Sequence, residues 1–284
     1  MFTPDTLAGK RILITGGGTG LGKSLGRHFL GLGASLIICG RRVGVLEETA
    51  AEFRQETGGE VTAIGCDIRD PAQVQAMFDA IWQTGPLDAL VNNAGANFIS
   101  ATENLSARAF DAVVDITLNG TAYCTMEAGR RWIGAGRKGT VLSILSTSVF
   151  TGRAFTMPSA AAKAAVMGMT RSLAVEWGPK GIRLLGVAPG MFPTQGAWDR
   201  LRPEGTQATG EEEKIPLRRV GQHSEIANLC AFLLSDMATY MNGDIITIDG
   251  GRWLQEGGAA NKELFGWSGA DWDAFRDKMK RRGV

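Results

Sequence analysis

From residue 11 to residue 23 the chain runs Arg11-Ile-Leu-Ile-Thr15-Gly16-Gly17-Gly18-Thr19-Gly20-Leu21-Gly22-Lys23. The aliphatic run predicts a buried parallel strand, and the apolar spacing over 24–32 predicts a helix. A glycine-dense turn between a strand and a helix is typical of the first unit of a dinucleotide-binding fold. There the glycines let the backbone approach a pyrophosphate, and the helix N-terminus attracts the negative charge.

The spacing of these glycines narrows the prediction. The pattern G-x-G-x-x-G fits in no register, because Leu21 or Lys23 stands where the third glycine is needed. The pattern T-G-x-x-x-G-x-G does fit. A plain tight turn is the alternative, but the βα units that follow favour a cofactor loop. The residues predicted to line it are Gly16, Gly17, Gly18, Thr19, Gly20 and Leu21.

Composition describes a globular α/β protein. The 284 residues include 39 glycines, and 44% are hydrophobic and 21% charged. A net charge of +1 gives no electrostatic reason to expect nucleic acid. No apolar run is long enough to span a membrane, and a first strand near residue 11 leaves no room for a targeting peptide. We therefore expect a cytoplasmic protein.

Cysteine and histidine usage argues against a metal site. The four cysteines are widely spaced and three of them lie in apolar runs, so reduced core thiols are expected rather than disulfides or metal ligands. They are Cys39, Cys66, Cys124 and Cys230. The chain has only two histidines, His28 and His223. No metal is expected.

Strand and helix patterns alternate along the chain. Strands are predicted at 11–15, 35–39, 61–66, 87–91, 140–145, 182–188 and 244–248. Helices are predicted between them, among others at 45–57, 72–83, 159–177 and 224–235, with Asp70 as an N-cap before Pro71. This alternation predicts an α/β fold: a single doubly wound Rossmann-type parallel sheet with helices on both faces. One domain spans 1–284, with a substrate flap at about 191–215 and a C-terminal extension at 252–284.

The end of the second predicted strand bears on cofactor choice. Sites that prefer NAD usually place an acid here for the ribose hydroxyls, whereas arginine accommodates the 2′-phosphate of NADP. This chain has Gly40-Arg41-Arg42 and no acid, which favours NADP; two solvated loop arginines are the alternative. Asp67, at the end of the third strand, either holds the adenine or is a turn carboxylate.

Four motifs in a fixed order carry a family resemblance. They are Thr15 to Gly22, Asn92-Asn93-Ala94-Gly95, Lys163 on the helix after the fifth strand, and Pro189-Gly190. Over residues 8–251 the chain resembles the short-chain dehydrogenase/reductases. The resemblance implies a seven-stranded parallel sheet, a nicotinamide cofactor and a homotetramer. It also implies cofactor contacts from Asn93, Gly95, Lys163, Pro189, Gly190, Met191 and Phe192.

The chain departs from that family at the tyrosine that serves as the acid. The usual members carry Tyr-x-x-x-Lys with a serine thirteen residues before the tyrosine; Lys163 and Ser146 match, but the tyrosine position is Ser159. The usual helix asparagine is Thr117. The only tyrosines, Tyr123 and Tyr240, lie elsewhere. A serine hydroxyl is a much weaker acid than a phenol, so the sequence disfavours alcohol–ketone interconversion as the activity.

A narrower resemblance accounts for these departures. Asn97-Phe98-Ile-Ser100, Pro158-Ser159-Ala-Ala-Ala-Lys163, Gly196-Ala-Trp-Asp-Arg200-Leu201 and Asp271-Trp272-Asp273 resemble the 2,4-dienoyl-CoA reductases. In that family NADPH gives hydride to the delta carbon of a conjugated dienoyl thioester during fatty-acid β-oxidation. A proton then reaches the alpha carbon and leaves a 3-enoyl-CoA.

The resemblance also implies roles for individual residues. Asn97 is the expected donor to the thioester oxygen, with an Asx turn as its alternative role. Lys163 would hold the nicotinamide ribose, with Ser159 close to the cofactor. The implied acyl-CoA contacts are Arg69, Phe98, Ser106 and Arg200, each with an ordinary surface or core role as the alternative.

The proton donor does not match either branch of the reductases. Mitochondrial-type members place a tyrosine where this chain has Ser148, and peroxisomal-type members place an aspartate where it has Met167. Ser148, Ser146 or a water held by Lys163 must then serve. The leading hypothesis is an NADPH-dependent ene reductase. The alternatives are a carbonyl reductase with a displaced acid and a catalytically silent NADP-binding protein.

Overall fold

The computed structural model describes residues 2–194, 212–258, 268–271 and 273–274. Its strands are β1 (Arg11–Thr15), β2 (Ser35–Gly40), β3 (Val61–Gly65), β4 (Ala89–Asn92), β5 (Gly139–Ile144), β6 (Ile182–Pro189) and β7 (Ile245–Ile248). Its helices are α1 (Gly20–Gly31), α2 (Val43–Thr57), α3 (Pro71–Thr84), α4 (Ala107–Val114), α5 (Gly120–Gly134), α6 (Ser148–Thr151), α7 (Met157–Trp177), α8 (His223–Leu234) and α9 (Arg252–Gly258). A π-helical turn, Asp115–Asn119, joins α4 to α5.

The strands form one parallel sheet in the order β3-β2-β1-β4-β5-β6-β7. Ile14 of β1 pairs with Ile38 of β2 on one side and with Val91 of β4 on the other. The order reverses between β1 and β4, and open α/β sheets bind ligands in the crevice at such a point. The predicted single seven-stranded parallel sheet is confirmed.

Side chains alternate between the two faces of the sheet and build a core on each. Ile12 and Ile14 of β1 lie in a cluster with apolar residues of α1, α2 and α8. Leu13 lies in a second cluster with residues of α3, α5 and α7. Strands buried on both faces need continuous aliphatic runs, which explains Ile-Leu-Ile in β1.

Close packing at the start of β5 places the strand against α5. Trp132 is fully buried, and its indole N–H donates to the Leu87 carbonyl at 2.7 Å. A Cβ at Gly139 would overlap the Trp132 ring, so only glycine fits there. Because interiors are close-packed, this contact fixes where β5 begins and, five residues on, where its carboxyl end meets the crevice.

Most predicted boundaries agree with the structure. Asp70 is the N-cap of α3 as predicted, with its carboxylate accepting from the N–H groups of Ala72 and Gln73. The predicted start of α7 at Ser159 is wrong by two residues: α7 begins at Met157, since Pro158 is accommodated within its first turn. All four cysteines are free and buried, as expected of core thiols.

The predicted flap and tail lie largely outside the described residues. Of the flap, 191–194 and 212–215 are described; of the extension, Arg252–Gly258 form α9. Within the described ranges no helix has the length and apolar character needed to cross a membrane. The same residues contain no cluster of three acidic, cysteine or histidine side chains that would suit a metal ion.

Candidate active site

The glycine turn after β1 is fixed to the end of β4. The buried Thr15 hydroxyl accepts from the N–H groups of Asn93 and Ala94, both at 3.1 Å. In return, the Asn93 amide donates to the carbonyls of Thr15 at 2.9 Å and Gly16 at 3.3 Å. These four bonds, which we call the Thr15 clamp, hold the two strand ends of the crevice in one arrangement.

The glycines of this turn are required by space and by backbone conformation. Gly16 has a φ of +67°, which favours glycine. A Cβ at Gly17 would lie 2.6 Å from Ile38 Cγ2, and one at Gly22 would lie 2.5 Å from the Gly16 carbonyl oxygen. No acidic side chain lies in the first turn of α1, and Thr19 makes no side-chain cap. The turn therefore fits a dinucleotide pyrophosphate, with uncapped N–H groups at the start of α1.

The ends of β2 and β3 carry the residues predicted to select the cofactor. Arg41 and Arg42 follow β2, are exposed, and form no ion pair with any described residue. Asp67 pairs with Arg69 at 2.5 Å and also accepts the Arg69 backbone N–H at 3.1 Å. The hydrogen bond from Arg69 lowers the pKa of Asp67. Asp67 is thus a turn carboxylate in this structure, while its adenine role and the acyl-CoA role of Arg69 stay predictions.

Lys163 lies on α7, and its side chain reaches the crevice at the end of β5. Its ammonium donates to the main-chain carbonyl of Ile144, the last residue of β5. Burial lowers the pKa of Lys163 to about 8. A Cβ at Gly95 would lie 3.7 Å from the Lys163 nitrogen, so the lysine approaches the segment that follows β4. Ser159, one turn earlier on α7, is buried.

Thr117 supports the same segment from the π-helical turn. Its buried hydroxyl accepts the N–H of Ala96 at 3.1 Å and would lie 3.6 Å from a Cβ at Gly95. The usual family member has asparagine at this position. In this chain the threonine fixes the backbone that leads to Asn97.

Asn97 and Phe98 are half-buried on that segment. No described residue forms a hydrogen bond with the Asn97 side chain, so the alternative Asx turn is not formed. Two residues further on, the Ser100 N–H donates to the Phe155 carbonyl at 2.9 Å and ties the segment to the loop before α7. The structure therefore presents a positioned backbone with an uncommitted amide.

The segment after β5 carries two linked hydroxyls. The Ser148 Oγ lies 3.1 Å from the Ser146 Oγ, and both residues are half-buried. Thr147 N–H donates to the Pro189 carbonyl at 3.3 Å, which joins the ends of β5 and β6. Tyr123 is half-buried against the second core cluster and Tyr240 is fully exposed, so neither phenol lies with these hydroxyls.

Exposed aromatic side chains border this end of the sheet. The Phe150 ring of α6 lies 5.2 Å from the Trp253 ring at the start of α9. Phe155, in the loop tied to Ser100, is 59% exposed and has a φ of +63°, a strained value for a bulky residue. Strain of this kind clusters at ligand sites.

The remaining predicted residues make local contacts that do not test their predicted roles. Ser106 caps α4, its hydroxyl accepting from Ala109 N–H at 3.2 Å. Gly190 follows β6, where a Cβ would lie 2.8 Å from Asp249 Cα. Met191 accepts from Gly221 N–H at 2.9 Å, and Phe192 packs on the first core cluster. Arg200 lies outside the described residues.

Sequence reasoning missed one residue at this end of the sheet. His223, the first residue of α8, bridges Ser24 of α1 and the carbonyl of Pro193. It matches no motif, and only the fold brings these three residues together. A lone histidine at a helix start gives no signal in a single sequence.

Comparison with known proteins agrees with this geometry. Residues 16–252 match the family model described as Enoyl-(Acyl carrier protein) reductase. The chain belongs to the short-chain dehydrogenase/reductase family. A Caenorhabditis elegans protein named probable 2,4-dienoyl-CoA reductase 3 [(3E)-enoyl-CoA-producing] is 42% identical over 282 residues, covering 97% of this chain and 91% of the relative. A Bacillus subtilis protein named probable 2,4-dienoyl-CoA reductase [(2E)-enoyl-CoA-producing] is 42% identical over 247 residues, covering 86% and 97%.

Solved structures show the same fold. A short-chain dehydrogenase from Bacillus anthracis is 38% identical with a TM-score of 0.78, over 86% of this chain and 96% of that one. An Agrobacterium tumefaciens relative with bound NADP is 32% identical with a TM-score of 0.80, over 88% and 98%. Members of this family of oxidoreductases bind nicotinamide cofactors, and the glycine turn described above is where this short-chain dehydrogenase/reductase has the space for one.

Proposed function

We propose that this short-chain dehydrogenase/reductase is an NADPH-dependent ene reductase that reduces a conjugated enoyl or dienoyl thioester. The observation that carries the proposal is the side chain of Asn97. Its amide is uncommitted, and it lies on the segment that the Thr15 clamp and Thr117 position and that Lys163 approaches. An amide can donate to an oxyanion but is not an acid, which suits an enolate better than an alkoxide.

The proposed chemistry follows from where charge develops. When bound, the cofactor supplies a hydride. Addition of that hydride to the delta carbon of a 2,4-dienoyl thioester moves an electron pair through the diene onto the thioester oxygen. The Asn97 amide donates to this oxygen and stabilises the dienolate. One proton then completes the reduction at carbon.

The carbon that takes the proton decides the product. Protonation at the alpha carbon leaves a 3-enoyl thioester, and protonation at the gamma carbon leaves a 2-enoyl thioester. We propose that the Ser148–Ser146 pair, or a water beside Lys163, delivers the proton to the alpha carbon. The pair is half-buried at the end of β5, next to the segment that α7 supports. The names of the two relatives, with (3E) and (2E) products, are consistent with either outcome in this family.

The cofactor preference is proposed from charge. Arg41 and Arg42 are exposed beside the cofactor turn and have no described ion-pair partner. A 2′-phosphate offers such arginines a charge-assisted hydrogen bond. Asn93, Gly95, Pro189, Gly190, Met191 and Phe192 are proposed to complete the cofactor site.

An acyl-CoA is proposed as the substrate class. The exposed rings of Phe150 and Phe155, with the half-buried ring of Trp253 against Phe150, give an acyl chain an apolar surface beside the crevice. Contacts to the CoA portion are proposed from Arg69, Phe98, Ser106 and Arg200. We place the reaction in the cytoplasm and in the reductive handling of unsaturated acyl chains during β-oxidation.

A substrate panel tests the proposal. The purified protein is incubated with NADPH and, separately, with 2,4-hexadienoyl-CoA, a simple enone and a ketone. NADPH oxidation is followed by absorbance, and the product double bond is located by NMR. Turnover of the dienoyl-CoA, with little of the ketone, supports an ene reductase. Preferential ketone turnover means a carbonyl reductase, and NADPH binding without turnover of any substrate means a silent binding protein.

We also propose a homotetramer, as the family resemblance implies. Apolar side chains remain exposed on α5 and α7, namely Met126, Ile133 and Val175, the last 80% exposed. A second copy would cover them. Light scattering on the eluting protein measures the mass directly, and a monomer of 30.2 kDa would overturn this proposal.

A further inference from the structure

The imidazole of His223 connects two elements that border the cofactor turn. Its Nδ1 lies 2.7 Å from the Ser24 hydroxyl, on the second turn of α1. Its Nε2 lies 2.8 Å from the carbonyl oxygen of Pro193. Pro193 belongs to residues 190–194, which leave β6 and which we call the exit segment. One half-buried side chain therefore joins α1, α8 and the exit segment.

The partners decide which nitrogen carries hydrogen. A carbonyl oxygen only accepts, so Nε2 carries a hydrogen and donates to Pro193. In the neutral ring Nδ1 is then an acceptor, and the Ser24 hydroxyl donates to it. The Ser24 oxygen also lies 3.2 Å from the carbonyl of Gly20, the first residue of α1. One hydroxyl hydrogen cannot serve both acceptors, so the bridge brings Ser24 beside the glycine turn without a second hydrogen bond.

The exit segment meets the glycine turn next to this bridge. A Cβ at Gly20 would lie 3.7 Å from Cβ of Thr194, the residue after Pro193. At its other end the exit segment is already fixed, because Gly190 N–H donates to the Ile248 carbonyl and Gly221 N–H donates to the Met191 carbonyl, both at 2.9 Å. His223 supplies a side-chain anchor at the end that faces the cofactor turn.

We propose that His223 is a positioning residue for the nicotinamide cofactor. It holds the exit segment against the N-terminal turn of α1, so that Met191 to Thr194 and the glycine turn form one continuous wall of the cofactor cleft. His223 therefore acts on the affinity for the cofactor. What matters is a hydrogen-bond donor at the position of Nε2, and a side chain other than imidazole could supply it. This inference rests on cofactor binding and not on the proposed substrate.

The second histidine provides a matched control. His28 lies on α1 one turn beyond Ser24 and faces Asn228 of α8, in the same helix pair. With Asn228, Leu229, Phe232 and Phe2 it lines a separate cavity, away from the exit segment. Replacing His28 perturbs α1–α8 packing without touching Pro193 or the glycine turn.

Four variants test the proposal: His223→Ala, His223→Gln, Ser24→Ala and His28→Ala. Cofactor Kd is measured from the fluorescence of NADPH on binding, and the Tm of each cofactor-free variant is recorded alongside. We expect His223→Ala to weaken NADPH binding by about tenfold, the scale of one or two lost hydrogen bonds. His223→Gln should restore binding to within about twofold or threefold, because its side-chain amide can donate to Pro193. Ser24→Ala should show a smaller loss, and His28→Ala none.

Three results would overturn the proposal. One is equal weakening by His223→Ala and His28→Ala, which would reduce His223 to helix packing. The second is a Gln variant that binds as poorly as the Ala variant, and the third is an Ala variant that binds like the parent. If His223→Ala does not fold, NADPH binding by His223→Gln and Ser24→Ala still tests the proposal. None of these measurements uses a thioester substrate. The test of His223 therefore remains valid even if the proposed ene reduction is wrong.

Discussion

The ammonium of Lys163 donates a hydrogen bond to the carbonyl of Ile144, at the end of β5. This bond directs the lysine toward the segment after β4 rather than toward solvent. Burial lowers the pKa of Lys163 to about 8, so its charge is lost within the working range of many enzymes. The position therefore supplies a cation or a neutral amine according to pH.

We expect cofactor-dependent activity to fall on the basic side with a midpoint near pH 8. The lysine is a cation below that value and neutral above it, whereas an ordinary lysine would hold its charge to about pH 10.5. The pH profile of kcat/KM reports the free enzyme and is the measurement. Lys163→Arg keeps the charge and should remove this limb, even at reduced activity. A basic limb that starts only near pH 10 would contradict the assignment.

Lys163→Met should nearly abolish turnover while leaving the fold as stable as the parent or more so at pH 7. The pKa of Lys163 is about 8 in the folded protein and about 10.5 in the unfolded chain. Below pH 8 both states are charged and the folded state bears the cost of burial. As pH rises from about 8 to 10.5 the unfolded chain binds more protons, so that cost is progressively relieved. Thermal unfolding at pH 7 and pH 10 measures this; a parent protein that loses no more stability than Lys163→Met on going from pH 10 to pH 7 would argue against it.

Asn97→Ala should lower kcat by about 10²–10³-fold, roughly 3–4 kcal/mol, with a much smaller change in KM. The amide acts on charge that exists only after hydride transfer, so substrate binding should change little. Ser100→Ala is the control, because it lies on the same segment and its hydroxyl donates only to the neighbouring Ala101 carbonyl. Parent-like turnover in Asn97→Ala would remove the oxyanion role and the main argument for ene reduction.

Arg41→Ala should weaken NADPH binding by about 10–150-fold, since a lost charge-assisted hydrogen bond costs roughly 1.5–3 kcal/mol. NADH lacks the 2′-phosphate and should bind unchanged. Kd for both cofactors is measured by fluorescence, and the control is Arg137→Ala, at an exposed arginine in the turn after α5. Equal losses for NADPH and NADH would show that Arg41 does not read the phosphate.

Ser148→Tyr should raise turnover of a dienoyl-CoA if the Ser148–Ser146 pair is the proton route. A phenol is a stronger acid than a serine hydroxyl and would stand at the same point after β5. Initial rates and the position of the product double bond are measured together. A lower rate with an unchanged product would mean that the pocket is shaped around the serine, with a water as donor.

Local sequence signals predicted the elements of the fold well. The aliphatic runs of β1 and β2 are confined to the buried core, and Asp70-Pro71 begins α3 through a carboxylate cap. The order of the motifs along the chain then identified the family. These features depend on residues close in sequence, which is why one sequence suffices to find them.

Contacts between distant residues could not be predicted. The Thr117 bond to Ala96 and the His223 bridge depend on where separate segments lie in space. His223 and Ser24 are 199 positions apart and share no motif. The two-residue error at the start of α7 has a local cause, because Pro158 can lie inside a first helical turn as readily as before it.

The Thr15 clamp also bears on the order in which the protein folds. Its bonds join residues 77 to 79 positions apart, so the glycine turn gains them only after β4 has inserted beside β1. A ribosome-bound chain that has not yet exposed Ala94 can form the bonds of the loop to Cys39 and Thr49 but none of the Thr15 clamp. During synthesis, therefore, the nucleotide cannot serve as an early template, and its stabilising effect by mass action begins only with the intermediate that already pairs these two strands.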